Sequence, residues 1–358
     1  MKKRVEKLRS EMLRCGLDAL WVSGGVNHRY FSGFDNPDGA LLICHDNAYA
    51  FEDFRYIEAA KREIDGSVFE VIMPESKRAQ WLPVILSANL VKRVGYEDSL
   101  ITCRTLENLK SDCPQAEFIP IYDLVDKMRR FKDAEEVEFI MRAQRIAESA
   151  FDELLRNIDL KATESEVAAE LEYIMKKKGA HGISFETIAV SGKNSSSPHG
   201  VPGNVPLEKG FLTFDFGATY NGYHSDMTRT VCVGRADDEM KRLYNTVLRA
   251  QMAVLEVISE GQSNFKMDKI ARDIIDNAGY KGCFGHSLGH GVGLDVHEKP
   301  VMAPSSGDAK LIAGEIVTVE PGIYVAGKYG CRIEDMVHIV PGGAVNLTDC
   351  PKELIELL

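Results

Sequence analysis

The stretch FLTFDFGATYNGYHSDMTRT, residues 211–230, decides the fold of the C-terminal half of the chain. Its opening residues alternate between apolar and polar, which predicts a strand with one apolar face and with Asp215 on the other face. The Asn221-Gly222 pair predicts a tight hairpin turn, and the strand after it carries Asp226. Burying a carboxylate is costly unless it is paired or binds a metal. The pattern therefore leaves two readings open, a solvated hairpin face and a metal site.

A second pair of carboxylates occurs about a hundred residues later, in another glycine-rich pair of strands. Glu320 lies in TVEPGIY, where Pro321-Gly322 predicts a sharp turn, and Glu334 lies in CRIEDMV. Arg332 is two residues before Glu334, so an ordinary surface charge pair is the alternative interpretation. Two hairpins that each supply two carboxylates predict a shared site on one concave sheet.

Three histidines occur within the glycine-rich stretch HSLGHGVGLDVHE, residues 286–298, between the first two carboxylates and the last two. Glycines let the backbone approach a ligand closely, and imidazole is the commonest metal ligand in proteins. His290 and the four carboxylates together offer four hard oxygen donors and one nitrogen. That set suits Mn²⁺, Co²⁺ or Zn²⁺ and suits a thiolate-binding metal poorly. Two divalent ions sharing carboxylates are a recurring device for hydrolysing amides and esters.

The bulk properties of the chain limit its organisation and its partners. A chain of 358 residues exceeds the size at which one hydrophobic core usually splits, so two domains are expected, 1–128 and 129–358. A formal charge of -11 disfavours nucleic acid and anionic membranes as partners. No signal peptide or membrane-spanning run is visible. Eight scattered cysteines without a C-x-x-C pair are expected to be free thiols of a cytoplasmic protein.

The first domain is predicted to alternate strands and helices, with no glycine-rich nucleotide-binding motif. Val5, Leu8, Met12 and Leu13 form an apolar stripe on a first helix that ends at Gly16. Short apolar runs predict strands, and the segments between them predict helices. The predicted strands are Ala19–Ser23, Ala40–Cys44, Ala48–Phe51, Val68–Met73 and Arg93–Tyr96, and the predicted helices include Arg55–Ile64 and Lys77–Leu90.

The second domain is predicted to repeat the order helix, helix, strands, which indicates an internal duplication. A long amphipathic helix starts after the charged segment 123–138, and Thr163 with Glu166 forms a capping box for a second helix. Two further helices are expected at about Asp238–Glu260 and Asp268–Ala278, before strands in 315–340.

Residues 134–345 resemble the catalytic domain of the pita-bread metallopeptidases, a superfamily that includes methionine aminopeptidase, aminopeptidase P and prolidase. Residues 1–125 resemble the N-terminal domain of creatinase, prolidase and aminopeptidase P. The resemblance implies an α+β protein, with an α/β creatinase-like N-terminal domain followed by a pseudo-duplicated pita-bread catalytic domain. It also implies a homodimer that acts on peptides with proline at the second position.

The resemblance assigns a role to each of the metal-ligand candidates. It implies two divalent metal ions, with Mn²⁺ first and Co²⁺, Zn²⁺ or Fe²⁺ as alternatives, and hydrolysis by a metal-bridged hydroxide. The five implied ligands are Asp215 on one metal, Asp226 as a bridge, His290 and Glu320 on the second metal, and Glu334 as the other bridge.

Catalytic roles are expected both for one of the ligands, Glu320, and for residues outside the ligand set. Glu320 is expected to move a proton, while His199 and His297 contact the substrate and stabilise the tetrahedral intermediate. Tyr324 and Arg332 match positions of the proline-specific branch. His286 matches no catalytic position and is expected to be structural.

One position separates two possible activities. Many prolidases carry an arginine where this chain has Val301, and that arginine is thought to hold the free carboxylate of a dipeptide. Lys299 could replace it only as a flexible point charge. The chain is therefore predicted to be an Xaa-Pro aminopeptidase, with an Xaa-Pro dipeptidase as the nearest alternative. A non-catalytic binding protein and a creatinase-like amidinohydrolase are more distant alternatives, which the intact ligand set disfavours.

Overall fold

The computed structural model describes residues 1–358, and the chain forms two compact units, Met1–Arg129 and Arg130–Leu358. Both units combine helices with β-sheets, which confirms the predicted mixture of α and β structure. None of the helices has the combination of length and hydropathy that a membrane span requires.

The N-terminal unit is built on one six-stranded sheet. Its elements are α1 (Lys2–Cys15), β1 (Ala19–Val22), α2 (Gly25–Ser32), β2 (Ala40–Cys44), β3 (Ala48–Phe51), α3 (Ile57–Glu63), β4 (Glu70–Ile72), α4 (Arg78–Ala88), β5 (Arg93–Tyr96), α5 (Cys103–Asp112), β6 (Glu117–Pro120) and α6 (Leu124–Arg129). The strands lie in the order β4-β3-β2-β1-β5-β6, with β1 parallel to β5 and antiparallel to β2. The predicted alternation of strands and helices is confirmed.

The first helix shows where local pattern is sufficient and where it fails. Val5, Leu8 and Met12 are buried, and Gly16 ends the helix in the left-handed region with φ 65°. The prediction was wrong for Leu13, which is 67% exposed. Leu13 follows Met12 directly, so it lies about 100° further round the helix, away from the buried stripe.

The C-terminal unit contains the predicted repeat of two helices followed by strands. The first half comprises α7 (Ala134–Asn157), α8 (Glu164–Lys177), β7 (Gly182–Ile183), β8 (Ile188–Ser191), a 3₁₀ turn (Gly192–Ser196), β9 (Gly210–Phe216), β10 (Ala218–Tyr220), β11 (Tyr223–His224) and β12 (Met227–Val233). The second half comprises α9 (Asp238–Leu255), α10 (Asn264–Ile275), a π-helical turn (Asp276–Tyr280), β13 (Gly289–Gly291), β14 (Glu298–Met302), β15 (Ile316–Val319), β16 (Gly322–Val325), β17 (Tyr329–Arg332), β18 (Asp335–Val340), β19 (Gly343–Asn346) and β20 (Glu356–Leu357).

Capping interactions set the helix boundaries in this unit. The capping box of α8 is present as predicted, because the Thr163 side chain and the Glu166 side chain each accept the other's backbone N–H. The predicted bounds of the later two helices were wrong. Helix α9 ends at Leu255, before the predicted stop, and α10 begins four residues early because Ser263 caps it by accepting the Lys266 N–H.

The quoted stretch forms a pair of long antiparallel strands with a short hairpin at its tip. Strand β9 pairs along its whole length with β12, and its apolar face packs on α7, where the ring of Phe151 lies 5.2 Å from Phe214 and 5.3 Å from Phe216 between centroids. Asn221 and Gly222 both adopt positive φ, at 46° and 78°, as the predicted two-residue turn requires. The apolar face therefore fixes Asp215 on the opposite side of the strand.

The two halves of the unit meet at the end of β12. The Glu334 backbone N–H donates to the Thr228 carbonyl at 3.1 Å, and the Arg332 N–H donates to Thr230 Oγ1 at 3.2 Å. Thr228 is the register partner of Asp215. Residues 106 positions apart in sequence are thus aligned side by side, and the carboxylates of the two hairpins face the same space.

Candidate metal centre

Three of the predicted ligands form one compact cluster. Side-chain donor atoms of Asp226, His290 and Glu334 all lie within 4.8 Å of one another, and all three residues are buried. Asp226 directly precedes β12, His290 is the middle residue of β13, and Glu334 directly precedes β18. The ends of strands from both halves therefore supply the cluster, and the alternative of a solvated hairpin face for Asp226 is wrong.

The remaining two candidates lie against this cluster. Glu320 follows β15, and its Oε1 is 3.4 Å from His290 Nε2, which is in turn 3.6 Å from Asp226 Oδ2. Asp215 accepts a hydrogen bond from Arg332 Nη2 at 2.6 Å through its Oδ2. Its other oxygen, Oδ1, is buried and has no hydrogen-bond partner. The structure thus brings all five predicted side chains to one region of the C-terminal unit.

The electrostatics of the cluster are those of an anion-rich site. Burial, followed by repulsion from Asp215 and Glu320, raises the pKa of Asp226 well above its usual range. Burial and then the Asp226 carboxylate raise the pKa of Glu334 in the same direction. Burial also raises the pKa of Glu320 to about 8. Several carboxyl groups therefore share a buried space in which their ionised forms are costly.

Hard divalent cations fit these residues. The donors are carboxylate oxygens and one imidazole, which is the chemistry that Mn²⁺, Co²⁺, Zn²⁺ and Fe²⁺ accept in proteins. Asp215 Oδ1 is buried without a hydrogen-bond partner, which is costly for a carboxylate oxygen. A metal ion bound to this oxygen would remove that cost. Burial lowers the pKa of His290 to about 4, so its imidazole is neutral at neutral pH, as a ligand must be.

Arg332 links the cluster to the predicted accessory residues. It is buried, and besides Asp215 it donates through Nε to Thr228 Oγ1 at 2.9 Å and through Nη1 to the Tyr324 hydroxyl at 2.5 Å. The Thr228 hydroxyl donates to Glu334 Oε2 at 2.7 Å. The alternative of a surface charge pair between Arg332 and Glu334 is therefore wrong, because both are buried and Thr228 lies between them.

The two predicted substrate-contacting histidines lie at the edge of the cluster and are exposed. The ring of His297 is 4.3 Å from the ring of His290 between centroids. His199 belongs to the loop that follows the 3₁₀ turn, directly after Pro198, whose carbonyl accepts from Arg332 Nη1 at 3.2 Å. Exposed imidazoles beside buried ligands are available to a bound molecule, and their catalytic roles stay predictions.

His286 was not assigned to the site from sequence, yet it contacts two site residues. Its Nε2 is 3.1 Å from the Tyr324 hydroxyl, and its Nδ1 is 3.8 Å from Glu320 Oε2. Burial lowers its pKa to about 4, so the ring is neutral. The available signal was its place among three histidines within 12 residues, but the resemblance offered no catalytic position for it.

Sequence reasoning also missed a buried ion pair behind His297. Lys132 Nζ donates to Glu298 Oε2 at 3.0 Å, and both side chains are almost fully buried. A Cβ on Gly293 would meet Glu298 at 2.6 Å, so the loop between these two residues packs closely on the carboxylate. Lys132 lies in a charge-dense segment, where nothing in the sequence distinguishes it from its solvated neighbours.

The position that distinguishes the two expected activities lies beside the centre. Val301 is the register partner of His290 in the β13–β14 pair, so the two side chains share one face of the sheet. Lys299 is exposed. A residue at position 301 is thus a near neighbour of a metal-ligand candidate, and in this chain it carries no charge.

The cysteines are not part of the centre. All eight are free, as predicted. Cys331 is buried next to Arg332, and burial raises the pKa of its thiol to about 12. The thiol is therefore protonated at neutral pH, and the compact donor cluster of Asp226, His290 and Glu334 contains no cysteine.

A two-domain chain whose second domain gathers buried carboxylates and an imidazole where two similar halves meet defines a metal-dependent hydrolase of the pita-bread type. Residues 138–341 match Metallopeptidase family M24, and residues 4–131 match the Creatinase/Prolidase N-terminal domain. The chain belongs to metallopeptidase family M24, and the predicted superfamily is confirmed.

Relatives of the chain cover its full length. An Xaa-Pro dipeptidase from Pyrococcus furiosus is 37% identical, over 99% of this chain and 100% of the relative. The structure of an Xaa-Pro dipeptidase from Bacillus anthracis is 38% identical with a TM-score of 0.94, and that of an X-Pro aminopeptidase from Thermotoga maritima is 37% identical with a TM-score of 0.92. Each structural match covers 99% of both chains.

Proposed function

We propose that this protein is a metal-dependent exopeptidase that removes the N-terminal residue from Xaa-Pro peptides. The observation that carries the proposal is the convergence of four carboxylates and one imidazole on a buried space. In this proposal two divalent ions, Mn²⁺ first, are held by the five ligands named above: Asp215, Asp226, His290, Glu320 and Glu334.

The protein's own residues divide the work of hydrolysis. Bound divalent ions supply Lewis acidity and lower the pKa of water towards neutrality. Glu320 is the proton carrier, because its carboxyl group lies at the centre, 3.4 Å from His290 Nε2, where it can exchange a proton with a water molecule that attacks the scissile carbonyl. It takes a proton from that water as the new C–O bond forms, and it passes the proton to the prolyl nitrogen as the C–N bond breaks. His297 and His199 donate to the carbonyl oxygen and hold the peptide in place.

The arrangement suits a bond before proline. An Xaa-Pro bond is a tertiary amide without an N–H, and the proline ring fixes the backbone dihedral φ. A site that recognises the scissile carbonyl and the free amino group does not need that N–H. Buried carboxylates near the reacting bond also attract an α-ammonium group, which explains why the proposed enzyme acts at the N-terminus.

The length of the substrate is the finer part of the proposal. Val301, on the face of His290, offers no cation to a dipeptide's carboxylate, which supports an aminopeptidase that accepts Xaa-Pro-Yaa and longer peptides. The second candidate is an Xaa-Pro dipeptidase, and the names of the P. furiosus and B. anthracis relatives favour it.

A comparison of substrates tests both candidates. Protein loaded in turn with Mn²⁺, Co²⁺, Zn²⁺ and Fe²⁺ is assayed with Ala-Pro, Ala-Pro-Ala and Ala-Ala-Ala. Cleavage of Ala-Pro-Ala without cleavage of Ala-Ala-Ala is expected. Hydrolysis of Ala-Pro alone would show that the protein is an Xaa-Pro dipeptidase and not an Xaa-Pro aminopeptidase. Absence of both metal binding and hydrolysis would instead leave a non-catalytic binding protein.

Val301→Arg should shift the preference towards dipeptides. A guanidinium on the face of His290 can bind a C-terminal carboxylate, and a charged hydrogen bond there changes the ratio of kcat/KM for Ala-Pro over Ala-Pro-Ala by about 10-fold. Val301→Met is the matched control, because it adds length without charge. An unchanged ratio in Val301→Arg would show that position 301 does not read the substrate's carboxylate.

His297→Ala should lower kcat by about 10²–10³-fold, the usual cost of removing one hydrogen-bond donor to a developing oxyanion. Metal content, measured by elemental analysis, should not change, because His297 is exposed and the ligand set is complete without it. His181→Ala is the control, because it removes an exposed histidine that directly precedes β7 and packs against the Tyr220 ring. Parallel loss of metal and activity would place His297 among the ligands.

Location and assembly are also parts of the proposal. Eight free cysteines suit a reducing compartment, so the cytoplasm is the proposed location. A homodimer is proposed from family resemblance, and sedimentation analysis of the purified protein tests it.

A further inference from the structure

The loop between Ser191 and Gly203 carries His199, and one buried carboxylate, that of Glu164, accepts four hydrogen bonds from it. Glu164 is the first residue of α8, and only 1% of its surface is exposed. Its Oε1 accepts from the Ser191 backbone N–H at 2.6 Å and from the Ser191 hydroxyl at 3.1 Å. Its Oε2 accepts from Asn194 Nδ2 at 2.7 Å and from the Gly203 N–H at 2.9 Å.

These four contacts close the loop at both ends. Ser191 and Gly203 are the residues at which the loop leaves and rejoins the body of the unit, and Asn194 lies within the 3₁₀ turn. All four donors are neutral N–H or O–H groups, and together they occupy both oxygens of the Glu164 carboxyl group. A carboxylate that accepts four donors at fixed positions determines the geometry of the backbone that supplies them.

The same loop is tied to the metal centre on its other side. Ser195 Oγ accepts from the Gly330 N–H at 3.0 Å, and the Pro198 carbonyl accepts from Arg332 Nη1 at 3.2 Å. A Cβ on Gly330 would meet the Ser195 carbonyl oxygen at 2.2 Å, so the loop packs directly on strand β17. The residue before His199 is therefore fixed relative to an arginine that binds Asp215.

We infer that Glu164 is a positioning residue for the reaction, acting through His199. The inference rests on the proposed function, because it requires His199 to contact the substrate. His199 is exposed and belongs to this loop, so the path of the loop determines where its imidazole lies. Loss of the Glu164 contacts lets the loop relax, and a displacement of about 1 Å at a substrate-binding group can lower the rate by about 10²-fold.

Glu164→Gln is the central variant, and Glu166→Gln is its matched control. Glu164→Gln keeps the shape of the side chain but replaces one accepting oxygen by an NH₂ group, which is a donor. That donor faces two of the four N–H or O–H groups, so their hydrogen bonds are lost. Glu166 lies two residues later in the same first turn of α8 and is exposed. Its carboxylate accepts a hydrogen bond from the Thr163 backbone N–H. Both variants remove one negative charge from the same helix N-terminus, but only Glu164→Gln releases the loop.

The measurement is kcat/KM per metal-loaded, folded protein, for the two single variants, His199→Ala and the double variant Glu164→Gln/His199→Ala. Glu164→Gln is expected to lose about 10²-fold with unchanged metal content, and Glu166→Gln to stay within about 3-fold of the parent. The double variant is expected to match His199→Ala, because two residues that act through one group are not additive.

Three results would overturn the inference. If Glu164→Gln kept the parent's rate while His199→Ala was impaired, Glu164 would not be a positioning residue. The proposed function would be unaffected. Losses that multiply in the double variant would show that Glu164 acts through another group. A parent-like rate in His199→Ala would remove the role of His199 and with it this inference, while the Xaa-Pro activity itself would stand.

Asn194→Ala covers the case in which Glu164→Gln does not fold. It removes one donor to Glu164 and the contact to the Val201 carbonyl, but it leaves the carboxylate with three donors. A loss of about 10-fold in kcat/KM is expected, again with no added loss when it is combined with His199→Ala. A parent-like rate in folded Asn194→Ala would contradict the inference.

Discussion

Asp226→Ala and Glu334→Ala should each lower kcat/KM by at least about 10³-fold, since each removes a carboxylate from the centre of the donor cluster. Metal affinity should fall by more than about 10²-fold, because even residues that only orient metal ligands typically cost about 10–100-fold. Elemental analysis after dialysis and turnover of an Xaa-Pro-Yaa peptide measure the two effects. Metal content and turnover should fall together in each variant, because the same carboxylate supports metal binding and catalysis.

Glu315→Ala is the matched control for this prediction. Glu315 is also a fully buried carboxylate of the C-terminal unit, but it pairs with Arg130. Its loss leaves a cation without its partner and should therefore lower the melting temperature. It should leave metal content unchanged. Near-normal turnover and metal content in Asp226→Ala or Glu334→Ala would show that the ligand assignment is wrong.

The features predicted correctly from sequence are those that short stretches determine. The alternation around Asp215 sets the face of β9, and Asn221-Gly222 sets the turn, because both signals act over a few residues. The capping box at Thr163 is equally local. The five ligand candidates were proposed because they occur together in a fixed order with characteristic neighbours, and their metal-binding roles stay predictions.

The features that sequence reasoning missed depend on contacts between distant parts of the chain. Arg332 was weighed as a surface partner of Glu334, but it binds Asp215, which is 117 residues away. Lys132 reaches Glu298 across 166 residues. Such charge pairs form only when distant parts of the chain pack together in the folded unit. Hydrophobic periodicity and motif spacing do not predict which distant residues come into contact. Burial then decides which charged residues form the site.

The same burial leads to a pH dependence of the metal-free protein. The pKa of Glu320 is raised from its usual 4.5 to about 8 in the folded chain, so the folded state binds a proton that the unfolded state releases. Stability is therefore full below the unfolded pKa and is lost as the pH rises towards about 8. The loss amounts to about 1.4 kcal/mol per pH unit for each proton involved.

Chemical denaturation of metal-free protein between about pH 5 and about pH 8 should show this loss, and Glu320→Gln, which cannot ionise, should show a smaller one. Metal binding displaces protons from the carboxyl groups, so saturating Mn²⁺ should raise the melting temperature more at the upper end of this range than at the lower end. The direction follows first from burial, which makes the ionised carboxylates costly, and then from the repulsion among them. Equal pH dependence in the parent and Glu320→Gln, or equal stabilisation by Mn²⁺ at both ends, would mean that Glu320 ionises freely without the metal.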